Sequence, residues 1–181
     1  KEDSEGGEKT IEPMAFQHYF VRDRCQPTVT GFSFEGMDSA RPSDKFLAAL
    51  KSKNLGSILI CPSNPFVSVD PVLKLPGILE AMKKSPAPVI AVSPIVGGQA
   101  IKGPAAKMMA ELGMPASALA VAKHYQGRID GFVIDEADAD LKEEIQGLGI
   151  PTIVTKSVMV TLEDRISLAE AVLEFADELA S

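Results

Sequence analysis

The stretch PVIAVSPIVGGQAIKGPAAKMM, Pro88 to Met109, decides how the rest of the chain is read. It opens on an unbroken apolar run, Pro88–Val92, and passes through Gly97-Gly98. After the Gly103-Pro104 break it continues in residues compatible with a helix. A short apolar run bounded by turn residues predicts a strand covered on both faces, Val89–Val92. The glycine-rich loop and a helix over about Gly103–Leu112 complete one strand–loop–helix unit.

The same unit recurs on either side. Upstream, Ser57–Cys61 (SILIC) predicts a strand covered on both faces, followed by the loop PSNPFVSVDP and a helix from about Pro71 to Lys84. Further back, Thr28–Phe34 (TVTGFSF) alternates and predicts a strand, and a helix over Lys45–Ser52 follows Pro42-Ser43-Asp44. Downstream, a helix over about Pro115–Tyr125 follows the Gly113 break. A strand at Gly131–Ile134, an acidic loop Asp135–Asp140 and a helix to about Gln146 come next. A strand at Thr152–Val154 and a helix at Leu162–Leu179 finish the pattern. Alternating strands and helices of this kind predict an α/β fold: three layers, a mostly parallel sheet with helices on both faces, Rossmann-like. One domain is expected over residues 16–181, with 1–15 disordered or a linker. Ligands of such sheets sit beyond the carboxyl ends of the strands.

Composition narrows the function. The chain has 181 residues and a formal net charge of −7, with no concentrated basic stretch. Nucleic acid is therefore not an expected partner. No apolar stretch approaches the ~20 residues that span a bilayer, so no membrane is expected either. The two cysteines, Cys25 and Cys61, have neither metal-ligand spacing nor disulfide density. They are expected to be unbridged, in a reducing, cytoplasmic setting.

Two loops at the expected ligand edge are unusual. Pro62–Pro71 packs Ser63, Asn64, Ser68 and Asp70 among three prolines, which leave little ordering to be done on binding. Ser63 and Asn64 are candidate donors to an anion, though a turn role accounts for one of them more easily than both. Asp70 before Pro71 reads as a helix cap, and Phe66 as a loop anchor or the cover of a flat ring. In the opening stretch, Gly97 and Gly98 allow backbone amides to approach a ligand, and Lys102 supplies a cation beside them. Lys107, in the helix body, reads equally as a solvated residue. The Walker A order is absent, and so is G-x-G-x-x-G.

The other polar groups read as structural first. Asp135, Glu136, Asp138 and Asp140 suit a hard cation but serve capping and solvation more readily. His18 and His124 lack a nucleophile partner at a recognisable spacing, and His124 sits where histidines cap carbonyls. Arg22 and Arg24 have the reach for a phosphate, but a surface role comes first.

Taken together, PSNPFVSVDPVLKLPGI, APVIAVSPIVGGQAIKGPAAKMMAELG, the pair HY and DGFVIDEADA resemble the 2-phospho-L-lactate transferase family of coenzyme F(420) biosynthesis. FQHYFVRDRCQPTVTGFSFEG resembles it as well, so the likeness runs from about Phe16 onward. Members of that family are longer at the N-terminus, where metal-binding aspartates lie, and this chain resembles the C-terminal portion. The resemblance implies transfer of a 2-phospholactyl or phosphoenolpyruvyl group from a guanosine diphosphate-linked donor to the ribityl hydroxyl of 7,8-didemethyl-8-hydroxy-5-deazariboflavin. GMP leaves, and magnesium offsets charge on the diphosphate, its ligands expected outside this chain. The substrate-binding set it implies is Ser63, Asn64, Pro65, Phe66, Ser68, Gly97, Gly98 and Lys102, with Phe66 against the deazaflavin ring. Two rivals remain. One is a sugar-nucleotide-binding regulator of the same fold, whose first loop is Gly-Ser-rich where this chain has SNPFVSVDP; the other is an inactive structural fragment. A homo-oligomer is left open.

Overall fold

The computed structural model describes residues 12–181. The expected unstructured stretch 1–15 therefore lies mostly outside the described residues, and its remainder, 12–15, has no regular structure.

In chain order, a π-helical turn (His18–Arg22) precedes α1 (Asp44–Leu50) and β1 (Ile58–Ile60). A second π-helical turn (Pro65–Val69) runs into α2 (Asp70–Leu73), followed by α3 (Ile78–Lys84) and β2 (Val89–Val92). The short strands β3 (Ile95–Val96) and β4 (Gln99–Ala100) lead to α4 (Ala105–Glu111) and α5 (Ala118–Tyr125). Then come β5 (Gly131–Ile134), a 3₁₀ segment (Glu136–Leu141), α6 (Lys142–Gln146), β6 (Thr152–Val154) and α7 (Leu162–Ala180).

Four strands form one parallel sheet in the order β1-β2-β5-β6, with Leu59 opposite Ile90, Ile90 opposite Gly131 and Val133 opposite Ile153. All residues of β2 and β5 are buried, as their continuous apolar runs require. Alternate residues nonetheless serve different layers. Val89, Ala91, Phe132 and Ile134 pack with α1 to α6, whereas Ile90, Val92 and Val133 pack with Leu168, Val172 and Phe175 of α7. The three-layer α/β architecture is as the sequence predicts.

Several local expectations are corrected. Thr28–Phe34 joins no ladder: Val29 donates its amide to Glu111 Oε2 at 3.0 Å, and Phe32 stacks on Phe66, so side chains of other elements take the contacts a strand would have made. The helix expected over Pro71–Lys84 is broken into α2 and α3, because Pro76 cannot continue it and Gly77 turns with φ 82°. Strand β1 is not covered on both faces: it is an edge strand, with Leu59 40% exposed. Cys25 and Cys61 are both free thiols. Cys61, however, lies exposed just past the end of β1, so its freedom does not come from burial.

Candidate functional site at the carboxyl edge

Because β1 and β2 are adjacent and parallel, the loops after Ile60 and Val92 leave at one edge of the sheet. Ser63 and Asn64 thus share that edge with Ser93–Gly98, and the loops after β5 and β6 join them there. The site is best described by which polar groups at this edge are already committed and which are not.

Asn64 is committed. Its Oδ1 accepts from the amides of Phe66 and Val67 at 3.0 and 3.3 Å, which starts the π-helical turn with Pro65 at its first position, and its Nδ2 lies 3.2 Å from Met108 Sδ. Ser63 is half-buried, and its hydroxyl takes part in none of the hydrogen bonds that hold this loop among the described residues. Pro65 and Phe66 are buried, and Ser68 is exposed. Phe66 lies 5.4 Å from Phe32 in a near-parallel stack and 5.3 Å from the His124 ring edge-on, so two core rings already flank it.

Gly97 and Gly98 form the two-residue turn of the β3–β4 hairpin, with φ 56° and 76°. Two positive φ values are what a type I′ turn demands, so both glycines have a backbone reason to be there. The Gly97 amide donates to Asp138 Oδ2 at 3.0 Å. Helix α4 begins only at Ala105 and is seven residues long. Lys102 is exposed and makes no ion pair among the described residues.

The acidic loop after β5 divides its work. Asp135 is buried and accepts from Ala137 N, Ser157 N at 2.7 Å and Ser157 Oγ at 2.9 Å, joining the loops after β5 and β6. Burial opposes its ionisation, but these hydrogen bonds outweigh it and hold its carboxyl below the usual range. Asp138 is equally buried but accepts one such bond, from Gly97. Burial, together with Asp135 and Asp140 nearby, pushes its carboxyl up. Asp138→Asn is accordingly expected to hold or slightly raise the melting temperature at pH 7, measured by thermal denaturation, since the buried charge is removed while an acceptor for Gly97 remains.

Two sequence readings are corrected by partners far away in the chain. Lys107 does more than meet solvent: its side chain is 37% exposed, but its Nζ pairs with Glu111, donates to the Pro27 carbonyl at 2.9 Å and lies 5.7 Å from the centre of the Tyr19 ring. It fastens the segment before α1 onto α4. His124 does not cap carbonyls. Its Nε2 donates to Asp70 Oδ1 at 3.0 Å, and Arg128 and Lys74 approach the same carboxylate at 3.5 and 3.4 Å. Asp70 likewise is not an N-cap: it is the first residue of α2, and Val69 precedes the helix. Burial opposes its ionisation, but His124 and Lys74 hold its carboxyl below the usual range.

Among the described residues, no three His, Cys, Asp or Glu side chains converge to hold a metal ion. The buried carboxylates Asp70, Asp135 and Asp138 are each engaged by protein donors, so these residues do not fit a magnesium site. No helix among them is long and apolar enough to cross a membrane. An open cleft of about 550 Å³ lies before α4, lined by Arg24, Cys25, Gln26, Gly103, Pro104 and Lys107, and none of the residues of the expected substrate-binding set lines it. A second, of about 430 Å³, lies at the opposite edge of the sheet, between Lys83, Arg128 and Leu179, and contains none of the predicted residues.

Comparison with known proteins finds relatives along most of this chain. A phosphoenolpyruvate transferase of Streptomyces griseus is 34% identical over 178 residues, covering 98% of this chain and 54% of that protein. A 2-phospho-L-lactate transferase of Methanosarcina mazei is 37% identical over 161 residues, 89% of this chain and 52% of that protein. One from Methanocaldococcus jannaschii is 33% identical over 169 residues, 93% and 52% respectively. The chain thus spans about half the length of these relatives. The family model for 2-phospho-L-lactate transferase CofD matches residues 4–176, and the chain belongs to that family.

Proposed function

We propose that this chain forms part of a transferase that moves a 2-phospholactyl or phosphoenolpyruvyl group from a guanosine diphosphate-linked donor to the ribityl hydroxyl of 7,8-didemethyl-8-hydroxy-5-deazariboflavin, in the cytoplasm, for coenzyme F(420) biosynthesis. Family membership across residues 4–176 carries the reading. Relatives bearing both names match at similar identity, so the donor is left as lactyl or enolpyruvyl. In the reaction the hydroxyl oxygen forms a bond to the donor's distal phosphorus, the bridging phosphorus–oxygen bond breaks toward GMP, and the hydroxyl proton passes to solvent. Chemistry of this kind depends on holding the two reactants in line and neutralising charge on the phosphates.

Magnesium is proposed as cofactor for the whole protein, and no step here passes through it. What this chain's own residues offer is the Ser63 hydroxyl and the Lys102 ammonium, both at the carboxyl edge and both uncommitted among the described residues. They are proposed to bind the donor together with the backbone of Gly98. Asn64, Pro65 and Phe66 shape the wall through their packing, and Ser68 presents a hydroxyl to solvent beside them.

The test is to supply donor and deazaflavin to the protein and follow GMP and phosphorylated deazaflavin by chromatography and mass spectrometry. Binding of a UDP-sugar with no affinity for deazaflavin would instead favour the regulator reading. Within the transferase reading, Lys102→Ala is expected to raise the donor dissociation constant about ten- to a hundredfold, the loss of one charge-assisted hydrogen bond. Lys107→Ala is expected to shift it less, and to lower stability by about 1 kcal/mol through loss of the Pro27 and Glu111 contacts. Calorimetric titration and thermal melts of both variants separate the two effects.

A further inference from the structure

We propose that the cleft between the segment before α1 and the start of α4 is a phosphate subsite, and that Arg24 is the residue that grips the anion. The cleft is lined by Arg24, Cys25, Gln26, Gly103, Pro104 and Lys107. Its cations are not equivalent. Lys107 is committed to Glu111 and the Pro27 carbonyl. Arg22, two residues before Arg24, is held by both carboxylate oxygens of Asp23, at 2.7 and 2.8 Å. Arg24 is exposed and has neither ion pair nor hydrogen bond among the described residues. An unengaged guanidinium at an open cleft presents a planar fork suited to two oxygens of a phosphate.

The backbone adds an independent observation. Arg24 and Cys25 have φ 49° and 59°, two successive non-glycine residues in the left-handed region. The strain is held in place from both sides: Cys25 N donates to the Tyr19 carbonyl at 2.8 Å and Gln26 N to the Asp23 carbonyl at 2.9 Å. If position 24 had only to turn, glycine would serve better there. A strained backbone that carries a free guanidinium is accounted for by a contact the side chain makes.

The anion assignment stands on this geometry. The choice of phosphate among oxyanions rests on the transferase reading, in which the donor carries a diphosphate. Inorganic pyrophosphate is the probe, titrated by calorimetry at constant ionic strength against the native chain, Arg24→Gly, Arg24→Lys and Arg22→Ala. Arg24→Gly is expected to melt no lower than the native protein, because glycine relieves the left-handed strain, and yet to bind pyrophosphate about tenfold or more weakly. Arg24→Lys should lose most of the same affinity, since an ammonium cannot form the paired contact, and Arg22→Ala should bind as the native chain does. Native affinity in Arg24→Gly, or an equal loss in Arg22→Ala, would overturn the assignment. The titration involves no transfer step. A chain that binds pyrophosphate through Arg24 but phosphorylates no deazaflavin removes the transferase reading alone. One that transfers, with native pyrophosphate affinity in Arg24→Gly, removes this inference alone.

Discussion

Asp135→Ala is expected to lower the unfolding free energy by about 2–4 kcal/mol, measured by denaturant titration. Its carboxylate is the acceptor for both the amide and the hydroxyl of Ser157, which is itself buried, and for the amide of Ala137. Truncation orphans the two Ser157 donors in a dry setting, at about 1–3 kcal/mol each before relaxation. Ala137 is exposed and turns to water. Asp135→Asn, which retains one good acceptor, should cost less. The pH dependence follows from the direction of the shift. The carboxyl of Asp135 is held below its ordinary value in the folded protein, so the unfolded chain binds its proton more readily. The stabilisation is complete above the ordinary carboxylate range, about pH 4, and is lost as the pH falls through the folded value. Asp138, three residues on, is shifted upward and so favours the folded state as the pH falls. The Asp135→Asn variant should therefore show a flatter loss of stability between about pH 4 and pH 2 than the native chain. Equal acid sensitivity of the two proteins would remove Asp135 from this role.

Gly131→Val is expected to destabilise by about 3 kcal/mol and to loosen α7. A Cβ at Gly131 would stand 2.7 Å from both Leu179 Cδ1 and Phe175 Cε1, closer than real carbon contacts allow. Phe175 is buried on the sheet face where α7 covers Ile90, Val92 and Val133, and the ring cannot withdraw without opening that layer. Gly31→Ala is the control, since nothing lies within 4 Å of an added Cβ there. Thermal melts and amide exchange of α7 report the result. A native melting temperature in Gly131→Val would mean that α7 adjusts freely, against the close approach described here.

How much of this was legible from residues alone depended on whether a feature is local. Strands β2, β5 and β6 fall on the predicted residues, because continuous β-branched runs have few alternatives. Helix α7, Leu162–Ala180, also falls on the predicted residues to within one position. Thr28–Phe34 has the alternation of a strand, but a ladder needs a neighbour, and here Glu111 takes the Val29 amide from 82 residues away. The β3–β4 hairpin was missed although Gly97-Gly98 is a strong turn signal, because strands of two residues carry no periodicity. At the site, the sharing of one edge by Ser63, Asn64 and Gly97–Gly98 follows from the parallel order. The pairings that decide which groups are free do not. His124 with Asp70, Lys107 with Pro27 and Asp138 with Gly97 join residues 54, 80 and 41 positions apart, and no spacing rule reaches them.

The position of β1 at the sheet's margin bears on how the isolated chain behaves at high concentration. Among the described residues no strand pairs with its outer side, and Leu59 stands 40% exposed between two further apolar residues. Unpaired backbone donors and acceptors beside an apolar side chain form a template on which another molecule's strand can add. The remaining protection is brevity, since three residues offer few bonds. A net charge of −7 adds mutual repulsion, which salt screens. Salt is therefore expected to weaken the charge protection of this edge while leaving its unpaired, apolar margin as it is, so that light scattering should rise with ionic strength.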